Sequence, residues 1–90
     1  MTYFVYVLFS LKDKKLYNGF STNLERRIFY HNHGLNQSTK NRRPLILIFH
    51  EDYINKNDAL RREKYLKTSS GKRCIKIILQ DTLANINKSN

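Results

Sequence analysis

The chain has 90 residues, 40% hydrophobic and 27% charged, so it can form one globular domain with a thin core but not separate catalytic and substrate-binding domains. Seventeen Lys and Arg residues against seven Asp and Glu give a net charge of +10, which favours a polyanionic partner such as nucleic acid, although the same charge could serve solubility alone. The single cysteine excludes an intrachain disulfide, and no segment looks like a signal peptide or is apolar for long enough to span a bilayer, so we expect a cytoplasmic protein with no membrane partner.

A β-hairpin is predicted at the start of the chain. Residues 3–9 are aromatic and β-branched on both alternate faces, which is typical of a central, buried strand. A polar segment follows, and residues 15–20 are expected to return as a second strand. On this second strand Tyr17 and Gly19 share one face, and Tyr6 of the first strand can reach the same region. A glycine inside a strand often marks close approach by a ligand or another backbone.

The first helix is predicted from a capping box formed by Thr22 and Glu25. We expect it to continue to about His33 and to end at Gly34, which readily adopts the left-handed conformation. These end signals define a helix of about three turns that follows the hairpin directly.

Two basic side chains interrupt the apolar stripe of this helix. The stripe contains Leu24 and Ile28, and on a 3.6-residue period His31 falls beside both, with Arg27 one helical turn before it. Taken alone, each basic residue is expected to extend its charged end to solvent. Their position on the side that meets the sheet nevertheless makes both of them candidate functional residues.

The segment after this helix predicts a loop and then a third strand. Residues 36–43 are polar and basic without any period, and Pro44 is placed to open a strand over residues 45–50. Asn55 or Asn57 can then cap a second helix.

The last third of the chain predicts two helices and a tail. The second helix is expected to reach about Thr68, where the run Ser69-Ser70-Gly71 should break it. Residues 72–79 favour a short third helix, with a strand as the alternative, and residues 83–90 form a polar tail.

An acidic residue falls on the predicted inner side of the second helix. Its inward stripe consists of Ala59, Leu60 and Leu66, and Glu63 projects between them. The structural alternative is an exposed ion pair with Lys67 at i+4, which would contribute only some tenths of a kcal/mol. Because the position points toward the sheet, we interpret Glu63 as functional.

The order strand, strand, helix, strand, helix, helix predicts an α+β fold, with a three-stranded antiparallel sheet flanked by helices. Residues 1–80 are expected to form the domain and residues 81–90 its polar C-terminal tail. We expect five polar side chains to meet over one sheet face: Tyr6, Tyr17, Arg27, His31 and Glu63. This set suits phosphate chemistry, because a carboxylate can hold a hard metal ion, a guanidinium binds phosphate, and phenol or imidazole transfers protons.

Six short motifs occur in order along the chain: Phe4-Val5-Tyr6, Tyr17-Asn18-Gly19, Asn23-Leu24-Glu25-Arg26-Arg27, His31-Asn32, Arg42-Arg43-Pro44 and Ala59-Leu60-Arg61-Arg62-Glu63-Lys64. In these motifs and their spacing the chain resembles the GIY-YIG endonuclease family, and in particular its small stand-alone bacterial members, over residues 3–79. Two positions depart from the family pattern, since Phe4 replaces a Gly and Asn18 replaces an Ile. Neither position supplies chemistry, so we expect activity to be retained.

The resemblance implies a role for each matching residue. Tyr6 and Tyr17 match the motif tyrosines, either of which positions or deprotonates the attacking water, and Gly19 matches the glycine of close backbone approach. Arg27 matches the arginine that holds the scissile phosphate, and His31 a residue that assists the proton relay. Glu63 matches the single carboxylate that binds one divalent metal ion, Mg²⁺ or Mn²⁺.

The resemblance therefore implies a metal-dependent endonuclease that hydrolyses phosphodiester bonds in nucleic acid, with DNA expected rather than RNA. The alternatives are a non-catalytic nucleic-acid-binding module on the same fold and a basic structural or ribosome-associated protein. Glu63 favours the enzyme, because a simple binder has no use for a carboxylate that repels phosphate. The sequence leaves protein partners unknown.

Substrate binding is expected to come from basic side chains in the loop and on the second and third helices: Lys40, Arg42, Arg43, Arg61, Lys64, Lys67, Lys72 and Arg73. Such contacts reach phosphates and do not read bases, so binding should be nearly independent of sequence and steeply dependent on salt.

Overall fold

The computed structural model describes residues 1–89 as a three-stranded antiparallel sheet with helices on both faces. The strands are β1 Tyr3–Ser10, β2 Leu16–Ser21 and β3 Leu45–Tyr53, in the order β2-β1-β3. The helices are α1 Leu24–Asn32, α2 Lys56–Leu66, α3 Ser69–Ile78 and α4 Gln80–Ser89, with a short 3-10 turn at Lys40–Arg42. The predicted α+β class and the order of the first six elements are confirmed. No helix among the described residues is long and apolar enough to cross a bilayer.

The central strand divides the core into two parts. Val5 and Val7 of β1 pack against α2, α3 and α4, whereas Tyr6 and Leu8 pack against α1. Successive side chains of a strand point to opposite faces, so α1 and α2 lie on opposite sides of the sheet. The buried, central position predicted for the first strand is confirmed.

The start of α1 differs from the prediction by one residue. Asn23, and not Thr22, is the N-cap, because its side-chain oxygen accepts a hydrogen bond from the backbone N–H of Arg26 at 3.1 Å. At the other end, the amide of Asn32 donates to the carbonyl of Leu45 and accepts from its N–H, at 2.9 and 3.0 Å. This pair of bonds fixes the end of α1 to the first residue of β3. Gly34 has a φ of 72°, as predicted for the residue that ends the helix.

The junction of α2 and α3 corrects the prediction that the run Ser69-Ser70-Gly71 lies between two helices. This run forms the first turn of α3, because Thr68 is the N-cap and its hydroxyl accepts from the N–H of Gly71 at 3.1 Å. A Cβ on Gly71 would lie 2.6 Å from the Cα of Leu66, so only glycine allows the two helices to meet this closely. The alternative of a strand in this region is wrong.

The C-terminal segment that the sequence predicted as a polar tail forms α4 up to Ser89, while Asn90 lies outside the described residues. Leu83 packs against the core cluster that contains Leu79, and its N–H donates to the carbonyl of Leu79 at 2.9 Å. The apolar residues of α4 are Leu83, Ala84 and Ile86, which are too few among polar neighbours to predict a helix from the sequence.

Candidate active site

The register of the hairpin places the two motif tyrosines on the face that α1 covers. Tyr6 pairs with Gly19 across the two strands, and Leu8 pairs with Tyr17. A Cβ at position 19 would lie 2.6 Å from the Cζ atom of Tyr6. The close approach predicted for Gly19 is therefore made by the phenol ring of Tyr6, which lies across the glycine backbone.

Tyr6 and His31 form a hydrogen-bonded pair in the interior of the protein. The Oη atom of Tyr6 lies 2.8 Å from Nε2 of His31, and Nδ1 of His31 lies 2.7 Å from Oγ1 of Thr39. Tyr6 is 1% exposed, and His31 and Thr39 are fully buried. The expectation that His31 would reach solvent is wrong, because Tyr6 and Thr39 satisfy both of its ring nitrogens within the protein.

Arg27 completes this chain of polar groups at the solvent side. Its Nε donates to the Oη of Tyr6 over 3.4 Å, and its guanidinium lies 5.0 Å from the centre of the Tyr30 ring. Since Oη accepts from Arg27, the phenol proton is directed to Nε2 of His31. A neutral His31 with its proton on Nδ1, donated to Thr39, satisfies all of these contacts.

The charge states of the pair follow from burial. Burial and the nearby Arg27 cation lower the pKa of His31 from 6.5 to about 4, so its imidazole is neutral at physiological pH. Burial raises the pKa of Tyr6, Arg27 opposes this change, and the phenol of Tyr17 and the carboxylate of Glu63 add to it. The resting site therefore holds a protonated phenol against an unprotonated imidazole nitrogen.

Tyr17 has a more open position than Tyr6. Its ring centre lies 5.3 Å from that of His31 in an edge-on arrangement, and the residue is half-buried. Among residues 1–89 no side chain or backbone group forms a hydrogen bond with its hydroxyl, which is therefore free to bind water or substrate.

Glu63 lies on α2, on the opposite side of the sheet from α1. Its side chain is 18% exposed, and one carboxylate oxygen lies 2.8 Å from Nζ of Lys67. The expectation that all five polar side chains lie over one sheet face is wrong in this respect, since α2 packs on the other face from α1. The carboxylate acts on the phenol of Tyr6 through its charge. Leu60, predicted to point inward beside Glu63, is 38% exposed.

The donor set around Glu63 limits the kind of metal site that is possible. Residues 1–89 contain no group of three or more His, Cys, Asp or Glu side chains that could hold a metal ion. A single carboxylate oxygen fits a hard divalent ion such as Mg²⁺, which commonly keeps several waters and binds through one or two carboxylates and substrate phosphate. Glu63 therefore fits an ion shared with the substrate and does not fit a cage built from protein alone.

The basic residues of the predicted binding loop differ in their surroundings. Arg42 forms a 2.6 Å ion pair with Asp13, and Nε of Arg43 donates to the carbonyl of Lys40 at 2.8 Å. The ammonium of Lys40 has no hydrogen-bond or ion-pair partner within the described chain. Of the three, Lys40 is thus the most available for a phosphate.

On α2 the predicted binding residues are likewise partly engaged. Arg61 pairs with Asp58 at 3.1 Å, and Lys67 pairs with Glu63. Lys64 is exposed and has no ion-pair partner in residues 1–89. The pair made by Arg61 is largely exposed, so it would contribute little and be exchanged readily for a phosphate.

Two residues that the sequence analysis did not assign to the site contribute to its geometry. Thr39 holds Nδ1 of His31, and the side-chain amide of Asn18 donates to the backbone carbonyl of Glu63 at 3.0 Å. Asn18 is a departure from the family pattern, and here it ties β2 to the helix that carries the carboxylate. A polar residue on the inner face of a predicted strand was the available signal for Asn18, whereas Thr39 lies in a loop with no period.

Stability is expected to fall as pH decreases from 6.5 to 4, because of His31. The folded-state pKa lies below the unfolded value, so the unfolded chain binds more protons in this range. The free energy of unfolding therefore falls by up to about 3 kcal/mol as the pH is lowered. Urea unfolding at pH 7, 6 and 5 measures this slope. His31→Gln, which cannot titrate, should have a flatter slope, and equal slopes for the two proteins would contradict the assignment of the dependence to His31.

Comparison with known proteins gives one family. The model of the GIY-YIG catalytic domain matches residues 2–76 of the chain. Among curated proteins, a UPF0213 protein of Staphylococcus haemolyticus is 42% identical over 77 residues, which cover 84% of this chain and 93% of that protein. A UPF0213 protein of Clostridium perfringens is 35% identical over 85 residues, covering 93% and 90% of the two chains.

A solved structure is similar as well. The solution NMR structure of a UPF0213 protein from Bacillus halodurans aligns with a TM-score of 0.55 and 30% sequence identity, over 87% of this chain and 85% of that one. Residues 2–76, which the family model matches, include all five residues of the predicted site.

Proposed function

The chain belongs to the GIY-YIG catalytic domain family, and on that premise we propose that it is a metal-dependent endonuclease that hydrolyses phosphodiester bonds in nucleic acid, with DNA as its substrate. The observation that carries the proposal is the hydrogen-bonded chain from Arg27 through Tyr6 to a neutral, buried His31. Burying polar groups is costly, and here the cost is met only because each group has a hydrogen-bond partner. Apolar side chains would fill the same space without this requirement, so packing alone does not favour the arrangement.

Proton transfer in this reaction is assigned to Tyr6 and His31. As a water molecule forms its new bond to phosphorus, Oη of Tyr6 takes the water's proton and passes its own proton to Nε2 of His31, 2.8 Å away. The bond from phosphorus to the leaving oxygen breaks, and the proton on His31 returns through Tyr6 to solvent or product. The low pKa of His31 ensures that the imidazole is unprotonated before each turnover.

Arg27 and Tyr17 position the reacting groups. The guanidinium of Arg27, which touches Oη of Tyr6, stabilises negative charge both on the phenol during proton transfer and on the phosphoryl oxygens. The hydroxyl of Tyr17 lacks a protein partner among the described residues, and it orients the attacking water next to His31.

Glu63 is the residue that would hold the divalent ion, with Asn18 fixing its backbone. Such an ion supplies charge neutralisation at the phosphoryl and leaving oxygens. Lys67 neutralises the carboxylate in the structure, and release of this 2.8 Å ion pair leaves Glu63 free to act as a ligand. An i,i+4 pair of this kind contributes about 0.5 kcal/mol or less, so its release costs little.

A cleavage assay tests the proposal against the binding module on the same fold. Labelled single-stranded, duplex and branched DNA and RNA are incubated with the protein, with Mg²⁺ or with EDTA. We expect Mg²⁺-dependent cutting of at least one DNA substrate and slower cutting of RNA. Binding to all substrates without any cutting under either condition would favour the non-catalytic module.

A further inference from the structure

A pocket of about 460 Å³ lies on the side of the sheet away from α1, between β1, β2, α3 and α4. The apolar part of its lining comes from both layers, including Phe9 and Leu16 from the strands and Ile75 and Leu83 from the helices. Its volume is within the range of pockets that bind small organic molecules or parts of larger ligands. The proton relay of the proposed mechanism makes no use of this space.

Four lysines line the pocket: Lys14, Lys15, Lys72 and Lys76. All four are exposed, and none has a hydrogen bond or ion pair from its ammonium group within residues 1–89. No acidic residue is among the lining side chains. Elsewhere on the chain carboxylates pair with basic residues, as Asp13 does with Arg42 and Glu51 with Arg62. Four unpaired lysines around one pocket with no acidic residue in its lining favour an anionic ligand.

The pocket adjoins the candidate active site through β2 and α2. Asn18 lines the pocket, and the same side chain donates to the carbonyl of Glu63. Leu66, which lies one helical turn after Glu63, is also part of the lining. The pocket and Glu63 are therefore neighbours at the contact between β2 and α2.

We propose that this pocket binds an unstacked nucleotide of the substrate strand, with the base against the apolar walls and the flanking phosphates on the four lysines. The assignment rests on the proposed function and adds a second binding site to it. A base offers a flat apolar surface and its phosphates offer negative charge, so a nucleotide matches both properties of the pocket. A base inside a duplex is stacked and paired, so it would have to be flipped out of the helix before it could enter.

The test measures binding in EDTA, where no cleavage occurs, by fluorescence anisotropy of a labelled single-stranded oligonucleotide. The pocket variant carries Lys15→Gln, Lys72→Gln and Lys76→Gln. Its control carries three substitutions that remove the same charge elsewhere on the exposed surface: Lys12→Gln, Lys56→Gln and Lys88→Gln. We expect the pocket variant to raise Kd by about tenfold or more and the control to raise it several-fold less. Equal increases would overturn the proposal.

A second variant separates the pocket from charge alone. Asn87 lines the pocket from the exposed side of α4, and Asn87→Phe would place a ring in the space without altering net charge or a core residue. Weaker binding of the oligonucleotide by this variant, with duplex binding unchanged, is the expected result. An unchanged Kd for the single strand would contradict occupation of the pocket by a base.

Two further probes identify the source of the nucleotide and the class of ligand. Thymidine monophosphate should compete with the oligonucleotide only at much higher concentration. Competition at equal concentration would mean that the ligand of the pocket is a free nucleotide and not a nucleotide of the strand. Binding to anionic vesicles that is lost in the pocket variant, with oligonucleotide binding retained, would also overturn the proposal. The failure of the proposed function would give a different result. The wild-type protein would then show no Mg²⁺-dependent cutting, while the differences in binding between the wild-type protein and the pocket variants would remain.

Discussion

Glu63→Gln is expected to lose cleavage by about two to three orders of magnitude, because the substitution removes the anionic oxygen while keeping the size of the side chain. A metal ion contributes several kcal/mol to stabilising the transition state, and about 1.4 kcal/mol corresponds to a factor of ten in rate. Binding of nucleic acid in EDTA should be unchanged or tighter, since a negative charge near the phosphates has been removed. Single-turnover cleavage and anisotropy on the same preparation measure the two quantities.

The matched control for Glu63 is Asp58→Asn, on the same helix. Asp58 also has a basic partner, Arg61, but its side chain is 56% exposed, and its charge is not among those that act on the phenol of Tyr6. This variant should retain nearly full activity. The fold should also be little affected by Glu63→Gln, because the contact from Asn18 is to the backbone carbonyl and not to the carboxylate. Full activity of Glu63→Gln would show that Glu63 is not the metal ligand.

Arg27→Ala is expected to lower the cleavage rate by about 10²–10³-fold, the range seen when one group that stabilises transition-state charge is removed. Both the guanidinium at the phosphate and its contact with the Tyr6 hydroxyl are lost. Arg27→Lys should recover affinity better than rate, because an ammonium cannot reproduce the planar, two-pronged contact of a guanidinium. Separate measurement of Kd and of the single-turnover rate resolves these effects.

Arg26→Ala is the control for this position, since Arg26 is the adjacent residue on the same helix and its side chain is exposed. It removes the same charge without touching Tyr6, and its effect should be confined to a modest loss of affinity. If Arg26→Ala were damaging and Arg27→Ala harmless, the face of α1 assigned to the site would be incorrect.

The parts of the fold that the sequence predicted are those with a strong local signal. The aromatic and β-branched run of β1 predicted a central strand, and Gly34 predicted the end of α1. Capping was less predictable, because Thr22 and Asn23 are both good N-cap residues and only the backbone conformation selects Asn23. The helix α4 was missed because its few apolar residues, which include the partly buried Leu83, stand among polar neighbours and give a weak periodic pattern.

In the candidate site too, the sequence predicted the positions that depend on local spacing and not those that depend on long-range contacts. Helical spacing placed Arg27 and His31 on one face of α1, and the structure joins both to Tyr6. The side of the sheet from which Glu63 approaches depends on the path of the chain between β3 and α2, on which the sequence pattern gives no information. The contact of Thr39 with His31 spans eight residues across a loop, and no helical or strand period relates the two.

The most direct test of the central claim is cleavage of a DNA substrate by the wild-type protein in water enriched in ¹⁸O, with Mg²⁺ and under single-turnover conditions. Mass spectrometry of the products counts the solvent oxygen atoms on the new terminal phosphate. Hydrolysis by an attacking water predicts one ¹⁸O atom on that phosphate, and Glu63→Gln should yield almost no product in the same time. Absence of cleavage, or a product whose phosphate contains no solvent oxygen, would contradict the assignment of this site to phosphodiester hydrolysis.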